Sequence, residues 1–396
     1  PFGGAADPFE GADCYGDRVD DCLGVNAELD AKAVDPALCQ GAEARVCLVP
    51  IGKVRTDVVD AIVKFHKDTA NIEVLVLPSL PLDASAIHRD TSQVDADLLY
   101  EMLQASYGVG DLTPSTFIGI APIDVRPRDG QYGWMFGSRW GRDANGLHNH
   151  GVFSYFRMLH VEPYDGSPIT DDLIHLRASK YVGRYVALLY LDYPYTDDIE
   201  YLNYSDMYGF GDLDGIGTTW PTGEKPCEGD TPVICVIPDG DYLDFGFEED
   251  VKLAIEELAA ELGVRVEMRK YAGYYMPSLD DWGDEYGGDL RETFPALLAK
   301  PNVTVIGITD DPFAQATGVS PYMDRAWPGE RLAVVSAADA GEAGTDRHEE
   351  RVKALLLRAI AQAHYGKSLN SDPASLMFEG VTEPADLDGK LAPALP

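Results

Sequence analysis

The sequence of 396 residues predicts an α/β protein built as two tandem α/β sandwich domains, each a mixed sheet with one long helix. Short apolar runs of strand character alternate with segments of helical periodicity. The order of phrases in the first half returns in the second, and a joint of linker composition, Pro221-Thr222-Gly223-Glu224-Lys225-Pro226, lies between them.

The first 43 residues read as an arm carrying Cys14, Cys22 and Cys39. The first copy, residues 44–222, opens on Val46-Cys47-Leu48-Val49-Pro50, a buried strand running into a turn. A helical pattern over 58–65 and a β-rich run over 72–77 come next. A helix over 96–106 leads to the strand Phe117-Ile118-Gly119-Ile120, and Val152-Phe153-Ser154 supplies a further strand before the long helix through Lys180 and Tyr190. The second copy, residues 223–396, begins with Ile234-Cys235-Val236-Ile237-Pro238. It continues with helical patterns over 251–262 and 289–298, a β-rich run over 264–268, and the strands Val305-Ile306-Gly307-Ile308 and Val334-Val335-Ser336. Its long helix passes through Arg358 and His364.

The first strands match at an offset of 188 residues, the later strand at 182, and the last helix with the segment after it at 174. At that last offset Arg177 pairs with Arg351, Arg184 with Arg358, Asp198 with Asp372, and Asp212-Leu213-Asp214-Gly215 with Asp386-Leu387-Asp388-Gly389. The shrinking offset places extra residues of the first copy around 139–150 and 160–169, in loops.

Hydrophobic residues make up 45% of the chain and aromatic residues 10%, enough for each domain to bury a core. No apolar run has the length of a membrane span. With 31 Lys and Arg against 67 Asp and Glu, the formal charge is −36, which sets the chain against nucleic acid and anionic membrane surfaces. The acid is spread along the chain, as on a strongly solvated surface; calcium-dependent folding or assembly is the alternative. Pro1 at the start fits a mature product after removal of an export signal, and equally a trimmed chain.

The cysteines fall as Cys14 and Cys22, Cys39 and Cys47, and Cys227 and Cys235, each pair at the same spacing. Three local disulfides are the simplest pairing, which implies an oxidising location: periplasm, cell surface or medium. No C-x-x-C pair is present to build a zinc ribbon.

The order of phrases resembles the archaemetzincin metallopeptidases. Cys47-Leu48-Val49-Pro50-Ile51-Gly52 is similar to the family's opening strand, and Ile118-Gly119-Ile120 to a later strand followed by an aspartate near Asp124, or Asp310 in the second copy. Trp134-Met135-Phe136-Gly137-Ser138 and Gly151-Val152-Phe153-Ser154-Tyr155-Phe156-Arg157, the latter as an edge strand, come next in the family's order. Ser371-Asp372-Pro373-Ala374-Ser375-Leu376-Met377 resembles the Met-containing turn; the first copy has Thr196-Asp197-Asp198 and Leu202-Asn203-Tyr204-Ser205 there. The resemblance implies a zincin-like fold with H-E-x-x-H-x-x-G-x-x-H on the long helix, two histidines and a third holding zinc and the glutamate acting as general base. That motif is missing from both copies. The corresponding stretches carry Lys180, Tyr181, Arg184 and Tyr190, and Arg358 with His364, the one surviving imidazole. Val182, Val186 and Leu189, like Leu356, Ile360 and Ala363, recur as core positions instead.

Other candidates are sparser. His148 and His150, two residues apart in the first copy's insertion, could share a metal, with His160, His175 and His364 as the other imidazoles considered. His348-Glu349-Glu350 is read as a helix start, not a zinc motif. Asp239, Asp241, Asp244 and Glu248 offer alternate oxygen ligands for calcium without an EF-hand spacing. Asp212-Leu213-Asp214-Gly215 is read as a helix cap, with a calcium loop as the alternative. Tyr181, Tyr185, Tyr190, Tyr193, Tyr195, Tyr201, Tyr204 and Tyr208 suit either an exposed binding face for sugars or protein, or packing against the opposite copy. Serine and cysteine nucleophile motifs and phosphate loops are absent.

The sequence therefore points to a secreted, catalytically inactive archaemetzincin-like protein, a structural or binding component of an extracellular assembly that works through a protein partner or self-assembly. Zinc is not expected, and calcium is the one cofactor the acidic loops would admit. The alternatives are a divergent metallopeptidase with a relocated metal site and a peptide-binding pseudo-protease pairing an extended chain along residues 152–156.

Overall fold

The computed structural model describes residues 9, 12–108, 114–128, 133–140, 150–163, 165–204, 209–238, 245–270, 290–291, 294–309, 324–379, 381, 384–390 and 392–395. The described chain falls into two compact units, one ending at Thr222 and the next beginning at Gly223.

The first unit opens with the short helix α1 (Ala27–Asp30), capped by Asn26, whose side chain accepts from the Glu28 and Leu29 amides. Its main sheet starts at β1 (Val46–Pro50), buried at every residue. Helix α2 (Thr56–Ala70) comes next and stops at Asn71, which takes the left-handed conformation that ends helices. Then come β2 (Val74–Val76), the hairpin β3 (Ile87–His88) and β4 (Gln93–Asp95), and helix α3 (Ala96–Tyr107). Strands β5 (Thr116–Ala121), β6 (Asp124–Arg126), β7 (Gly137–Trp140) and β8 (His150–Ser154) lead to the long helix α4 (Asp171–Tyr185), which continues as a π-helical turn over Val186–Tyr190. Helix α5 (Phe210–Gly215) closes the unit.

The five-stranded sheet has the order β2-β1-β5-β8-β7. Its first four strands are parallel and β7 runs antiparallel to β8. Strand β8 therefore lies inside the sheet, with β5 on one side and β7 on the other. This corrects the reading of residues 151–157 as an edge strand and removes the free backbone on which peptide pairing along 152–156 depends. The segment before the insertion folds back as β7 and takes up those hydrogen bonds, with Gly137 opposite Phe153 and Ser138 opposite Val152. A second sheet, β3-β4-β6, stands apart from the main one.

The second unit contains β9 (Val233–Pro238), α6 (Phe245–Leu262), β10 (Arg265–Met268), α7 (Pro295–Leu298), β11 (Val303–Thr309), β12 (Asp324–Trp327), β13 (Leu332–Ser336) and the long helix α8 (Asp346–Ala363). Its sheet order is β10-β9-β11-β13-β12, again four parallel strands and an antiparallel edge strand. Alternation along the strands sends side chains to opposite faces. Ile234, Val236, Ile306, Ile308, Ala333 and Val335 pack under α6 and α8. Val233, Cys235, Ile237, Val303, Val305, Leu332 and Val334 pack with Phe294 and Leu297 on the other side. The fold is thus mixed α/β, with helices covering both faces of the sheet. That arrangement explains why the parallel strands are apolar at nearly every position.

The three cysteine pairs are disulfides: Cys14 with Cys22, Cys39 with Cys47 and Cys227 with Cys235. The latter two fasten the first strand of each unit to the chain before it. Among the described residues, no helix is long and apolar enough to cross a membrane.

Candidate functional site

In each unit the long helix lies beside the sheet and ends in a turn that folds back to it. Lys180, Tyr181, Arg184, Arg358 and His364, singled out on or beside α4 and α8, each bond to the surrounding protein. In the second unit Arg358, 3% exposed, donates from Nε to both oxygens of Asp324 at 2.9 and 3.0 Å. Its Nη1 reaches the carbonyls of Leu376 and Phe378 at 2.8 and 2.6 Å. One turn on, Gln362 donates from Nε2 to Asp324 Oδ2 at 2.9 Å. His364 comes just after the helix. Its Nδ1 is 2.8 Å from Thr304 Oγ1 on β11, and burial pushes its pKa down.

In the first unit Arg184 donates from Nε to the Tyr204 carbonyl at 3.0 Å and lies over the Tyr195 ring. Lys180, almost buried, donates to the Asp214 and Leu213 carbonyls at 3.0 and 3.4 Å, and desolvation lowers its pKa. A cation there suits the carbonyl end of α5. Tyr181 and Tyr185 share a hydroxyl contact of 3.2 Å, and Tyr185 Oη also meets the carbonyls of Ser138 and Val152. Their rings stack into a cluster with Phe136 and Phe153, which joins Phe210. Tyr181, Tyr185 and Tyr195 are therefore core residues, a correction to the exposed aromatic face considered for them; apolar ring area gains more from burial than from solvent. Tyr190 ends the π-helical turn half-buried, and Tyr208 lies outside the described residues. Val182, Val186, Leu189, Leu356, Ile360 and Ala363 are buried.

The equivalent place beneath the two helices is filled differently. Gly137 of β7 and Asp324 of β12 occupy the same register, opposite Phe153 of β8 and Val335 of β13. Where Asp324 organises a polar network, Gly137 has no side chain and lies against the Val152 carbonyl and Phe153, while the Tyr185 ring lies over Gly151.

The imidazoles do not converge among the described residues. His150, on β8, is buried with its ring stacked 4.4 Å from Tyr100; His148 lies outside the described residues. His160 packs against Phe156 and has its pKa lowered by burial. His175 Nε2 is 2.9 Å from Asp57. His348 sits at the start of α8, its amide bonded to the Thr345 cap. Its ring is locked between Asp250 and the Ala337 carbonyl, a buried pairing that leaves no signal in the sequence because the partners are distant in the chain. No group of three or more His, Cys, Asp or Glu side chains arranged to hold a metal occurs among the described residues.

Asp239, Asp241, Asp244 and Asp310 lie outside the described residues. Glu248 accepts from Lys270 at 2.6 Å and Lys252 at 2.7 Å, so two ammonium groups already occupy it. Asp124 is held by Arg157 through two bonds of 2.8 and 2.7 Å and by Gln93. In Asp212-Leu213-Asp214-Gly215, Asp212 accepts from the Gly209 amide at the start of α5, while Asp214 binds Arg177.

No family model and no curated protein matches the chain. Among solved structures it is similar to archaemetzincin from Methanopyrus kandleri, at 18% identity and a TM-score of 0.33 over 40% of this chain and 87% of that one. Archaemetzincin from Archaeoglobus fulgidus, complexed with malonate, is similar at 16% identity and a TM-score of 0.33, over 45% and 95% of the respective chains. A zinc-dependent peptidase from Methanocorpusculum labreanum is similar at 12% identity and a TM-score of 0.35, over 44% and 95%.

Proposed function

We propose that this chain is an exported, catalytically inactive member of the archaemetzincin-like group, duplicated in tandem over residues 44–222 and 223–396 behind an arm of residues 1–43. In this reading it serves as a structural or binding component of an extracellular assembly. The observation that carries the reading is the chemistry of the long helices. Where the resemblance implies zinc-binding imidazoles, Arg358 is bonded to Asp324 and to two carbonyls, and the first unit has Arg184 and a tyrosine cluster. A guanidinium donates only and stays charged, so it has no lone pair for a cation and repels one.

The duplication is supported by hydrogen bonds that recur at one offset. Arg184 meets the Tyr204 carbonyl as Arg358 meets that of Phe378. The Thr196 amide meets the Asn203 carbonyl as Asn370 meets Met377, and Asp198 accepts from the Glu200 amide as Asp372 does from Ala374. Export is supported by three disulfides, which persist in oxidising compartments. The charge of −36 favours a protein partner or self-assembly over nucleic acid or membrane.

The test is elemental analysis of natively purified protein beside a peptide-hydrolysis assay with and without added zinc. Neither bound zinc nor hydrolysis is expected. Zinc near one per chain together with chelator-sensitive hydrolysis would overturn the reading and direct attention to His148, His150 and His364 as a relocated site.

A further inference from the structure

In the second unit, β12, α8 and the turn after α8 enclose a cleft of about 330 Å³, lined by Asp324, Arg325, Trp327, Arg358, Gln362 and Glu379 among others. Asp324 sets its floor: Oδ2 accepts from both Arg358 Nε and Gln362 Nε2. A carboxylate only accepts, so the Gln362 amide has one orientation, with Nε2 toward Asp324 and Oε1 turned away. Among the described residues, nothing donates to that Oε1. Arg358 uses Nε and Nη1 on Asp324 and two carbonyls, which leaves Nη2 without an acceptor. Both side chains are more than nine-tenths buried, yet these two atoms keep access to the cleft and are not sealed in the core. The Glu379 carboxylate adds a second acceptor without a hydrogen-bond partner among the described residues, whereas the Arg325 and Trp327 side chains leave β12 on the other face, where Trp327 packs with Leu332 and under Arg291.

The charges select the ligand. Arg358 and Asp324 cancel formally on this face, and Glu379 at the rim is the other charge, on a chain of net charge −36. A carboxylate or phosphate would set its oxygens against Gln362 Oε1 and Glu379, and an ammonium would meet the open side of the Arg358 guanidinium. A hydroxyl both donates and accepts and rotates to suit its neighbours. We infer that this cleft binds a neutral polyhydroxylated ligand, a saccharide of one or two rings, with adjacent hydroxyls bridging Arg358 Nη2 and Gln362 Oε1. The volume is at the small end for ligand clefts. In the first unit Gly137 stands at the register that Asp324 has in the second and supplies no carboxylate for such a network.

This inference deepens the non-catalytic reading by giving one unit a ligand, and the two fail separately: metal-dependent hydrolysis bears on that reading, glycan binding on this one. The experiment is affinity electrophoresis and calorimetry of the full chain against soluble neutral glucan, mannan, galactan and N-acetylglucosamine oligomers. Polygalacturonate and a library of extended peptides are run beside them. At least one neutral glycan should retard the protein, competed by its own oligosaccharide. Gln362→Met, which keeps the side chain's length and removes Oε1, and Glu379→Ala should each weaken binding by about tenfold, the scale of one lost hydrogen bond, with thermal unfolding of each variant separating lost binding from lost fold. Absence of binding to every neutral glycan, binding that both variants leave intact, or binding of peptide or polygalacturonate in place of neutral glycan overturns the assignment.

Discussion

Arg177 donates from Nε and Nη2 to the two carboxylate oxygens of Asp214, both at 2.7 Å, and at the same offset Arg351 does so to Asp388 at 2.7 and 2.9 Å. Each pair ties the first half of a long helix to the acidic turn beyond it. The surroundings differ. The Arg177 side chain is 1% exposed and also donates to the Val161 carbonyl at 2.7 Å, whereas that of Arg351 is 13% exposed and its Asp388 partner 38%.

The two pairs should therefore differ in worth. Asp214→Ala leaves a buried guanidinium without its counter-charge and should cost about 3 kcal/mol. Asp388→Ala removes a partner from a more accessible pair and should cost less than about 1 kcal/mol. Urea unfolding of the two variants measures the difference; equal losses would contradict the assigned burial.

His66 makes acid stability predictable. It is fully buried on α2 between Phe65 and Trp220, its Nδ1 donating to the Ile62 carbonyl at 2.8 Å, and desolvation lowers its pKa to about 4. The unfolded chain then binds the proton more readily than the folded one between that value and the ordinary 6.5. Stability from this group is complete above pH 6.5 and falls as the pH drops toward 4, by about 3 kcal/mol in all. Unfolding free energies measured across that window should show the slope in the native chain and lose it in His66→Leu.

The disulfide between Cys227 and Cys235 closes a short loop onto β9. Replacing both with serine should cost about 2–3 kcal/mol by the loop-entropy relation. The double variant should melt below the oxidised native chain, and reductant should lower it further by opening the two disulfides that remain.

Gly137 is set by the backbone of the neighbouring strand. A Cβ there would lie 2.1 Å from the Val152 carbonyl oxygen and 2.7 Å from Phe153 Cα. Gly137→Ala should therefore push β7 from β8 at a cost of about 2 kcal/mol or more. Faster hydrogen exchange confined to the β7 and β8 amides would report the displacement.

Much of the architecture was legible in the chain. Val46–Pro50 and Val233–Pro238 are apolar at every position because they lie in parallel sheets covered on both faces, and that continuity marks them as strands without reference to any neighbour. The helix over 96–106 and the pairing of Arg177 with Arg351 were equally readable, since periodicity and offset are local properties. Strand order was not. The family resemblance implied an edge strand over residues 151–157, and only the return of Gly137–Trp140 covers its first half, pairing with residues 150–153.

The candidate site divides along the same line. The sequence by itself determined that neither long helix contains H-E-x-x-H-x-x-G-x-x-H and that six cysteines fall into three equally spaced pairs. It also set Arg184 and Arg358 at the offset of 174 that other phrases share. Tertiary structure alone decided what those residues do. Asp324 is separated from Arg358 by 34 positions and meets it only because an antiparallel edge strand lies beneath the helix. Tyr185 became core rather than surface because its ring lies over Gly151, where a Cβ would come within 2.6 Å of it, and Tyr181 because it packs against Phe136 and Phe153. Spacing along a chain fixes which face of an element a side chain leaves from, whereas the partner it finds depends on how elements far apart in sequence are packed.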